Sequence, residues 1–320
     1  MYSKTRMEAV SILVVGSSVL DQVSRVERFP MAGESIRGSD LQLFVGGKGA
    51  NQAVAARRLG ANVMFCTCVG NDANGHHLIQ SLKAEGLDCQ NIEFHPSSPT
   101  GTAMIALDDE GQNMIIACLG ANLQFSDEYA FKVAHGNLHH VLLLQAEVPL
   151  ETVRAAAEAS QGVVIFNPAP AISIPASLYA LADYLTPNEH EAAHLVGFPV
   201  RSVSDARQAA DEIMARGCSN VVITLGSLGA YYQSESESGH VRAPMVDVVD
   251  TVGAGDCFNG AFAFAIAHKT PLPQAVQFAV GCASMSVAHL GAQSGLPYFD
   301  ELPNSVRDCL QIRQSEQVHP

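Results

Sequence analysis

Hydrophobic positions along the chain alternate between two patterns. Short, nearly unbroken apolar runs recur at "ILVVG" (12–16), "NVMFCTCVG" (62–70), "VLLLQ" (141–145), "GVVIFNP" (162–168), "YLTPN" (184–188) and "NVVITLG" (220–226). Apolar runs of this length without alternation predict strands buried on both faces. Between them, alanine-rich stretches with helical spacing occupy "ANQAVAARRLG" (50–60), "NGHHLIQSLKAEG" (74–86), "PLETVRAAAEAS" (149–160) and "DARQAADEIMARG" (205–217), several closing on the Gly expected after a helix C-terminus. The alternation predicts an α/β fold, a mostly parallel sheet with helices on both faces.

Two segments break the rhythm. "DQVSRVERFPMAGESIRGSDLQLFVGG" (21–47) and "TGTAMIALDDEGQNMIIACLG" (100–120) carry strand-like alternation, and "DDEGQ" is a hairpin signal. They predict a small β-sheet built from about 19–46 and 98–121, inserted in a single domain over 11–315. Ligands of open α/β sheets bind at the carboxyl ends of the strands, so a sheet projecting there is expected to act as a lid. "QSESESGH" (233–240) reads as a solvated hairpin tip.

Composition removes several function classes. With 320 residues and 48% hydrophobic content the chain can bury a large core. A net charge of -14, with only 18 Lys and Arg, argues against a nucleic-acid partner, although a helix start can still hold a small anion. No apolar run reaches the ~18 residues needed to cross a membrane. "AVSILVVGSSVL" has the length of a signal-peptide core, but no small-x-small cleavage site precedes Asp21, and the run reads equally well as a buried first strand. Eight cysteines without a CxxC pair are expected to be reduced thiols of a cytoplasmic protein.

Two glycine-bearing stretches carry candidate chemistry. In "VGGKGANQAVAARRLGA" (45–61), Gly46, Gly47 and Gly49 let a ligand or a second backbone come close ahead of a helix, with Asn51 either facing that ligand or capping the helix. In "DTVGAGDCFNGAF" (250–262), a helix starting at or just before Asp256 would turn the amides of Gly253, Ala254 and Gly255 toward one spot, an anion hole. Asp256 there can accept a proton from a hydroxyl attacking a phosphoryl group; a plain N-cap is the ordinary alternative. Gly260 inside that helix costs about 1 kcal/mol relative to Ala and implies close approach by another group. Neither stretch is a Walker A loop, and no dinucleotide fingerprint follows the first strand, which disfavours a dehydrogenase. "HEAAH" (190–194) fits the HExxH pattern of zinc peptidases, with His190 and His194 as ligands and Glu191 as base. Val200 stands where a metzincin needs its third His and Pro199 would end the helix, so a solvent-facing helical turn is the ordinary alternative.

With "NPAPA", "PNEHEA", "TLGSLGA" and "GAQSGLP", the two glycine-bearing stretches make the chain, from about Ile12 to Pro297, resemble the ribokinase-like (PfkB) family of carbohydrate kinases, above all its ribose-phosphorylating members. The resemblance implies that Asp256 is the base and that Gly253, Ala254 and Gly255 hold the transferred phosphoryl group. It assigns the sugar to Asp21, Gly47, Lys48, Gly49, Asn51, Glu147 and Asp256. ATP goes to Asn188, Glu191, Thr224, Gly226, Ser227, Gly229 and Gly255, with Mg²⁺ held through water by Glu191. A monovalent cation, K⁺, falls to Asp250, the Val252 carbonyl, Ser286, His289, Gly291 and Gly295. The implied activity is phosphorylation of a pentose, D-ribose at its 5-hydroxyl, by a cytoplasmic homodimer paired through its lids. Two positions depart from the family pattern. Val19 and Val280 replace an Asn of the sugar pocket and an Asn of the nucleotide pocket. Val cannot hydrogen-bond a hydroxyl, so 2-deoxyribose or another furanose or nucleoside stays open as the substrate.

Overall fold

The computed structural model describes residues 10–108, 110 and 112–310. In chain order its strands are β1 (Ser11–Val15), β2 (Val19–Val26), β3 (Gly38–Gly46), β4 (Asn62–Gly70), β5 (Ile92–His95), β6 (Thr102–Leu107), β7 (Asn113–Cys118), β8 (Val141–Gln145), β9 (Val163–Asn167), β10 (Tyr184–Leu185), β11 (Asn220–Thr224), β12 (Ala230–Gln233) and β13 (Ser238–Val241). Its α-helices are α1 (Lys48–Arg58), α2 (Ala73–Ala84), α3 (Asp127–Gly136), α4 (Leu150–Ala159), α5 (Ala176–Leu181), α6 (Glu189–Val196), α7 (Val203–Met214), α8 (Ala254–Ala267), α9 (Leu272–Ser286) and α10 (Asn304–Arg307).

The six apolar runs all become strands of one nine-stranded sheet, ordered β13-β12-β11-β10-β9-β8-β1-β4-β5. Pairing is parallel from β5 to β11, and the β12–β13 hairpin, whose tip is the polar 233–240 stretch, adds an antiparallel edge. "YLTPN" supplies only two strand residues. Pro187 has no amide for the ladder and Asn188 already caps α6.

Successive side chains of a strand point to opposite faces, and β1 shows what that does to the core. Ile12 and Val14 enter a cluster with α1, α8 and α9. Leu13 and Val15 enter another with residues of α3 to α7. The run that resembled a signal-peptide core is therefore the strand on which both helical layers rest.

The second sheet, ordered β3-β2-β6-β7, is built from the two irregular segments. β2 pairs antiparallel with β3 and parallel with β6, and Leu107 faces Asn113 where the β6–β7 hairpin closes. Asp109 and Gly111 of its turn, and residues 311–315 of the expected domain, lie outside the described residues. Leu41, Leu43, Phe44, Met104, Met114, Ile115 and Ile116 of this sheet are exposed.

Gly260 explains why α8 tolerates a glycine. A Cβ at that position would lie 2.6 Å from Ala55 Cβ and 2.7 Å from the Gln52 carbonyl oxygen, so α1 is the close neighbour expected from the sequence. Gly260→Ala is predicted to destabilise the protein by about 1–3 kcal/mol, the usual overpacking cost, even though alanine is the better helix former by about 1 kcal/mol. Urea denaturation checks this, and a more stable variant would mean that the two helices have slack between them.

Candidate active site

Helix α8 begins one turn earlier than a capping aspartate would require. Gly253 is its N-cap at φ 81°, ψ -2°, and Asp256 is its third residue, which removes the plain N-cap reading. A Cβ on Gly253 would lie 2.9 Å from Ala292, so the left-handed backbone and the packing both call for glycine. Gly255 differs: a Cβ there meets nothing within 4 Å, and the first turn of α8 faces open space. That space is a cavity of about 220 Å³ lined by Lys48, Asn188, Glu191, Thr224, Gly253, Gly255 and Asp256, among others.

Asp256 is 8% exposed and receives one hydrogen bond on each oxygen, both from α1. Asn51 Nδ2 donates to Oδ2 at 2.9 Å and Gln52 Nε2 donates to Oδ1 at 3.0 Å. Asn51 is thus not a cap. Burial raises the Asp256 pKa above the ordinary carboxylate value, and Glu147 adds to the rise, while Lys48 and the two amides oppose it. Burial alone would lower Lys48, but Asp256, Glu147 and Glu191 outweigh it and hold the ammonium above its usual value.

The glycines before α1 admit a second backbone. A Cβ on Gly49 would sit 2.6 Å from the Ser17 amide nitrogen, and one on Gly47 would sit 2.9 Å from Ser18 Cα, so the start of α1 rests on the turn after β1. Gly46 leaves room for the Asp21 carboxylate in the same way. Glu147, just beyond β8, accepts from Ser17 Oγ at 2.6 Å and from the Lys48 amide at 2.9 Å. Burial, with help from Glu147, pushes the Asp21 carboxyl up to about 6. Val19 lies two residues before Asp21 on β2 and so shares its face. It is 5% exposed yet belongs to none of the three apolar clusters.

On the opposite wall, Asn188 and Glu191 form a capping box at the start of α6. Asn188 Oδ1 accepts from the His190 and Glu191 amides, and Glu191 Oε2 accepts from the Asn188 amide at 2.9 Å. Glu191 is buried toward the cavity, whereas His190 and His194 are exposed, so "HEAAH" does not bring its glutamate to one site with its two histidines. Among the described residues, no three His, Cys, Asp or Glu side chains cluster as metal ligands. Burial raises the Glu191 pKa against the opposing Asn188 amide and Lys48.

Thr224 bridges Asn188 across the strand ends, and Gly226 and Ser227 follow in an exposed 3₁₀ turn closed by Gly229 at φ 95°. Val280 is buried in the α8–α9 core. The residues expected around a cation also meet. Asp250 accepts from the Gly291 amide at 2.8 Å and the Val252 amide at 3.0 Å. A Cβ on Gly295 would lie 2.6 Å from the Ser286 carbonyl, 3.3 Å from that of Gly291 and 3.5 Å from His289 Cβ.

Residues 10–298 match the family described as pfkB family carbohydrate kinase. The chain belongs to this family. It is 37% identical over 294 residues to a ribokinase of Haemophilus influenzae, covering 90% of this chain and 95% of that one. It is 34% identical over 297 residues to a deoxyribokinase of Salmonella typhi, covering 91% and 97%. A structure of Arabidopsis thaliana ribokinase complexed with ribose and ATP superposes with a TM-score of 0.85 at 31% identity, covering 95% of this chain and 99% of that one.

Several polar residues at this pfkB-family site escape a reading by motif. Gln52, Gln145, Asn167, Thr186 and Asn259 are all buried and linked by side-chain hydrogen bonds beneath Asp256. Their one signal is that each interrupts or ends an apolar run, as Gln145 does in "VLLLQ" and Asn259 in "CFNGAF". A buried polar group needs a partner.

The raised Asp21 carboxyl has a measurable cost. Its folded pKa of about 6 exceeds the ordinary 3.8, so the folded state favours the proton, and stability is lost as pH rises through about 6. Asp21→Asn is predicted to melt above the wild type at pH 8, with the gap closing toward pH 4. Thermal melts across that range check it, and a constant gap would mean that Asp21 titrates normally.

Proposed function

We propose that the protein transfers the γ-phosphoryl group of ATP to a pentose, most readily to the 5-hydroxyl of D-ribose. The observation that carries this reading is Asp256, a buried carboxylate held by two amides at the start of α8, where the first turn opens on the cavity. Asp256 takes the hydroxyl proton as the sugar oxygen bonds to the γ-phosphorus and the bond to the bridging oxygen of ADP breaks. A raised pKa makes it a stronger base than an exposed aspartate. The amides of Gly253 and Gly255 stabilise the charge that builds on the phosphoryl oxygens, while the Ala254 amide, also expected there, already donates to the Thr251 carbonyl at 3.2 Å; Lys48 adds a positive charge beside them.

Asp21, Asn51 and Glu147, with the backbone at Gly47, Lys48 and Gly49, form the sugar side. Carboxylate and amide oxygens suit a ligand made of hydroxyl donors. Thr224, Gly226, Ser227 and Gly229 form the nucleotide side with Asn188. Glu191 would order hydrated Mg²⁺, which supplies positive charge to the phosphates. The oxygen-rich loop of Asp250, Val252, Ser286, His289, Gly291 and Gly295 fits K⁺, which would stiffen the backbone next to the anion hole. The four-stranded sheet covers the sugar as a lid, and its exposed apolar residues pair two copies into a homodimer. The protein works in the cytoplasm, where ATP is abundant and its eight free thiols stay reduced.

Val19 favours one second reading, 2-deoxyribose, because a valine on the Asp21 face gives a sugar hydroxyl no partner. The likeness to a deoxyribokinase is in keeping with it.

ADP release measured across pentoses, hexoses and nucleosides tests the activity. Asp256→Asn is expected to keep the fold and nucleotide binding while kcat falls by at least ~10²-fold, the scale of a positioned base; near-normal turnover would refute the assignment. Val19→Asn is expected to shift the kcat/KM ratio toward ribose over 2-deoxyribose by roughly 5- to 150-fold, which corresponds to about 1–3 kcal/mol for an unpartnered hydroxyl. An unchanged ratio would show that Val19 does not face the sugar.

A further inference from the structure

Each oxygen of Asp256 is held by an amide that is itself held by a second amide. On one side Gln145 Nε2 donates to Gln52 Oε1 at 2.7 Å, and Gln52 Nε2 donates to Asp256 Oδ1 at 3.0 Å. On the other, Gln293 Nε2 donates to Asn51 Oδ1 at 3.0 Å, and Asn51 Nδ2 donates to Asp256 Oδ2 at 2.9 Å. A primary amide has one accepting end and one donating end. Once its oxygen is committed to an outer glutamine, its nitrogen must face the other way, toward the carboxylate.

The outer glutamines are held differently. Gln145 is fully buried at the end of β8 and fixed by packing, its own Oε1 having no partner among the described residues, and Gln52, equally buried, also reaches Asn167 Oδ1 at 3.1 Å. Gln293 lies in the loop after α9, where Arg58 of α1 donates to the carbonyls of Gln293 at 2.7 Å and Leu296 at 2.9 Å. The two relays thus run from different parts of the fold, one from the sheet and one from the 291–295 loop, and converge on a single carboxylate.

We propose that Gln145 and Gln293 are positioning residues for phosphoryl transfer, acting on Asp256 through Gln52 and Asn51 without touching it. This rests on the reading of Asp256 as the base. If Gln293 is lost, the Asn51 amide is free to rotate and present its oxygen to the carboxylate; if Gln145 is lost, the Gln52 amide keeps only its bond to Asn167 Oδ1 at 3.1 Å to hold its nitrogen toward Asp256, and its aim loosens. The charged groups facing Asp256 are Lys48 from α1, Glu147 beyond β8 and Glu191 from α6. None belongs to either relay, so their contribution stays constant across the variants.

The test compares Gln145→Met and Gln293→Met, which keep side-chain length and remove the amide, in the wild-type and Asp256→Asn backgrounds. In the wild-type background each is expected to lower kcat about 10-fold with the ATP KM within about 3-fold; the sugar KM also stays within about 3-fold for Gln145→Met but rises for Gln293→Met, whose middle amide, Asn51, stands on the sugar side. The acidic limb of the kcat profile should move to higher pH, since a carboxylate deprived of an aimed donor binds its proton more tightly. In the Asp256→Asn background both substitutions should leave the residual kcat unchanged, a coupling that general loosening would not produce. An unaltered kcat and pH limb in folded variants, or an equal fall in the Asp256→Asn background, would overturn the proposal. Should Gln145→Met fail to fold, Gln293→Met, on a partly exposed loop, decides alone. Full turnover by Asp256→Asn would instead remove the base assignment, and the relays would lose their target with it.

Discussion

The contact between α1 and α8 governs the rest of the site. Gly47 and Gly49 let the start of α1 settle onto the turn after β1, and Gly260 lets α8 lean against α1 at Ala55. Fixed at both places, the first turns of the two helices meet, which puts Asn51 and Gln52 within hydrogen-bond distance of Asp256. Two helix N-termini pointing at one region also concentrate partial positive charge there. That field favours the Asp256 and Glu147 carboxylates and an incoming phosphate alike.

Such a site is costly to assemble. Asp21, Glu191 and Asp256 all have raised pKa values, with burial the leading cause in each case. Lys48, in turn, is held in its charged form by the acids around it. Buried carboxylates near one another oppose folding unless hydrogen bonds and counter-charge offset their desolvation. Here the offset comes from one ammonium and a set of amides. A neutral amide can donate to Asp256 without bringing a further buried charge.

The layered fold was legible because it follows from period. β1, β8, β9 and β11 are apolar runs with no polar face, and only a sheet covered on both sides accommodates them. The start of α8 among its glycines could also be read, since Gly253 supplies the left-handed residue that opens the helix. The roles of Gly47 and Gly49 could not be told from the stretch itself, because a glycine admits a ligand or a backbone equally well and only the packed turn at Ser17 and Ser18 decides. "HEAAH" stayed open from its spacing alone for a related reason. Spacing places Glu191 on a helix but does not say that its carboxylate closes a capping box toward the cavity while both histidines face solvent. Gln52, Gln145 and Gln293 were invisible as a group because their bonds join positions 93, 204 or 242 residues from their partners.

Those separations also bear on how the chain is made. Asn51 and Gln52 emerge from the ribosome long before the carboxylate they hold, which lies 205 and 204 residues later. At about 5–20 residues per second the delay is roughly 10–40 s. During that interval the nascent α1 carries two amides aimed at no acceptor and a groove with no α8 to fill it. The N-terminal half can pair β1 with β4 and then β8, but its most buried helix stays half-covered until the last third arrives. An arrested or truncated chain ending before residue 254 would therefore expose the α1 surface that α8 normally hides, an apolar face open to association with other chains.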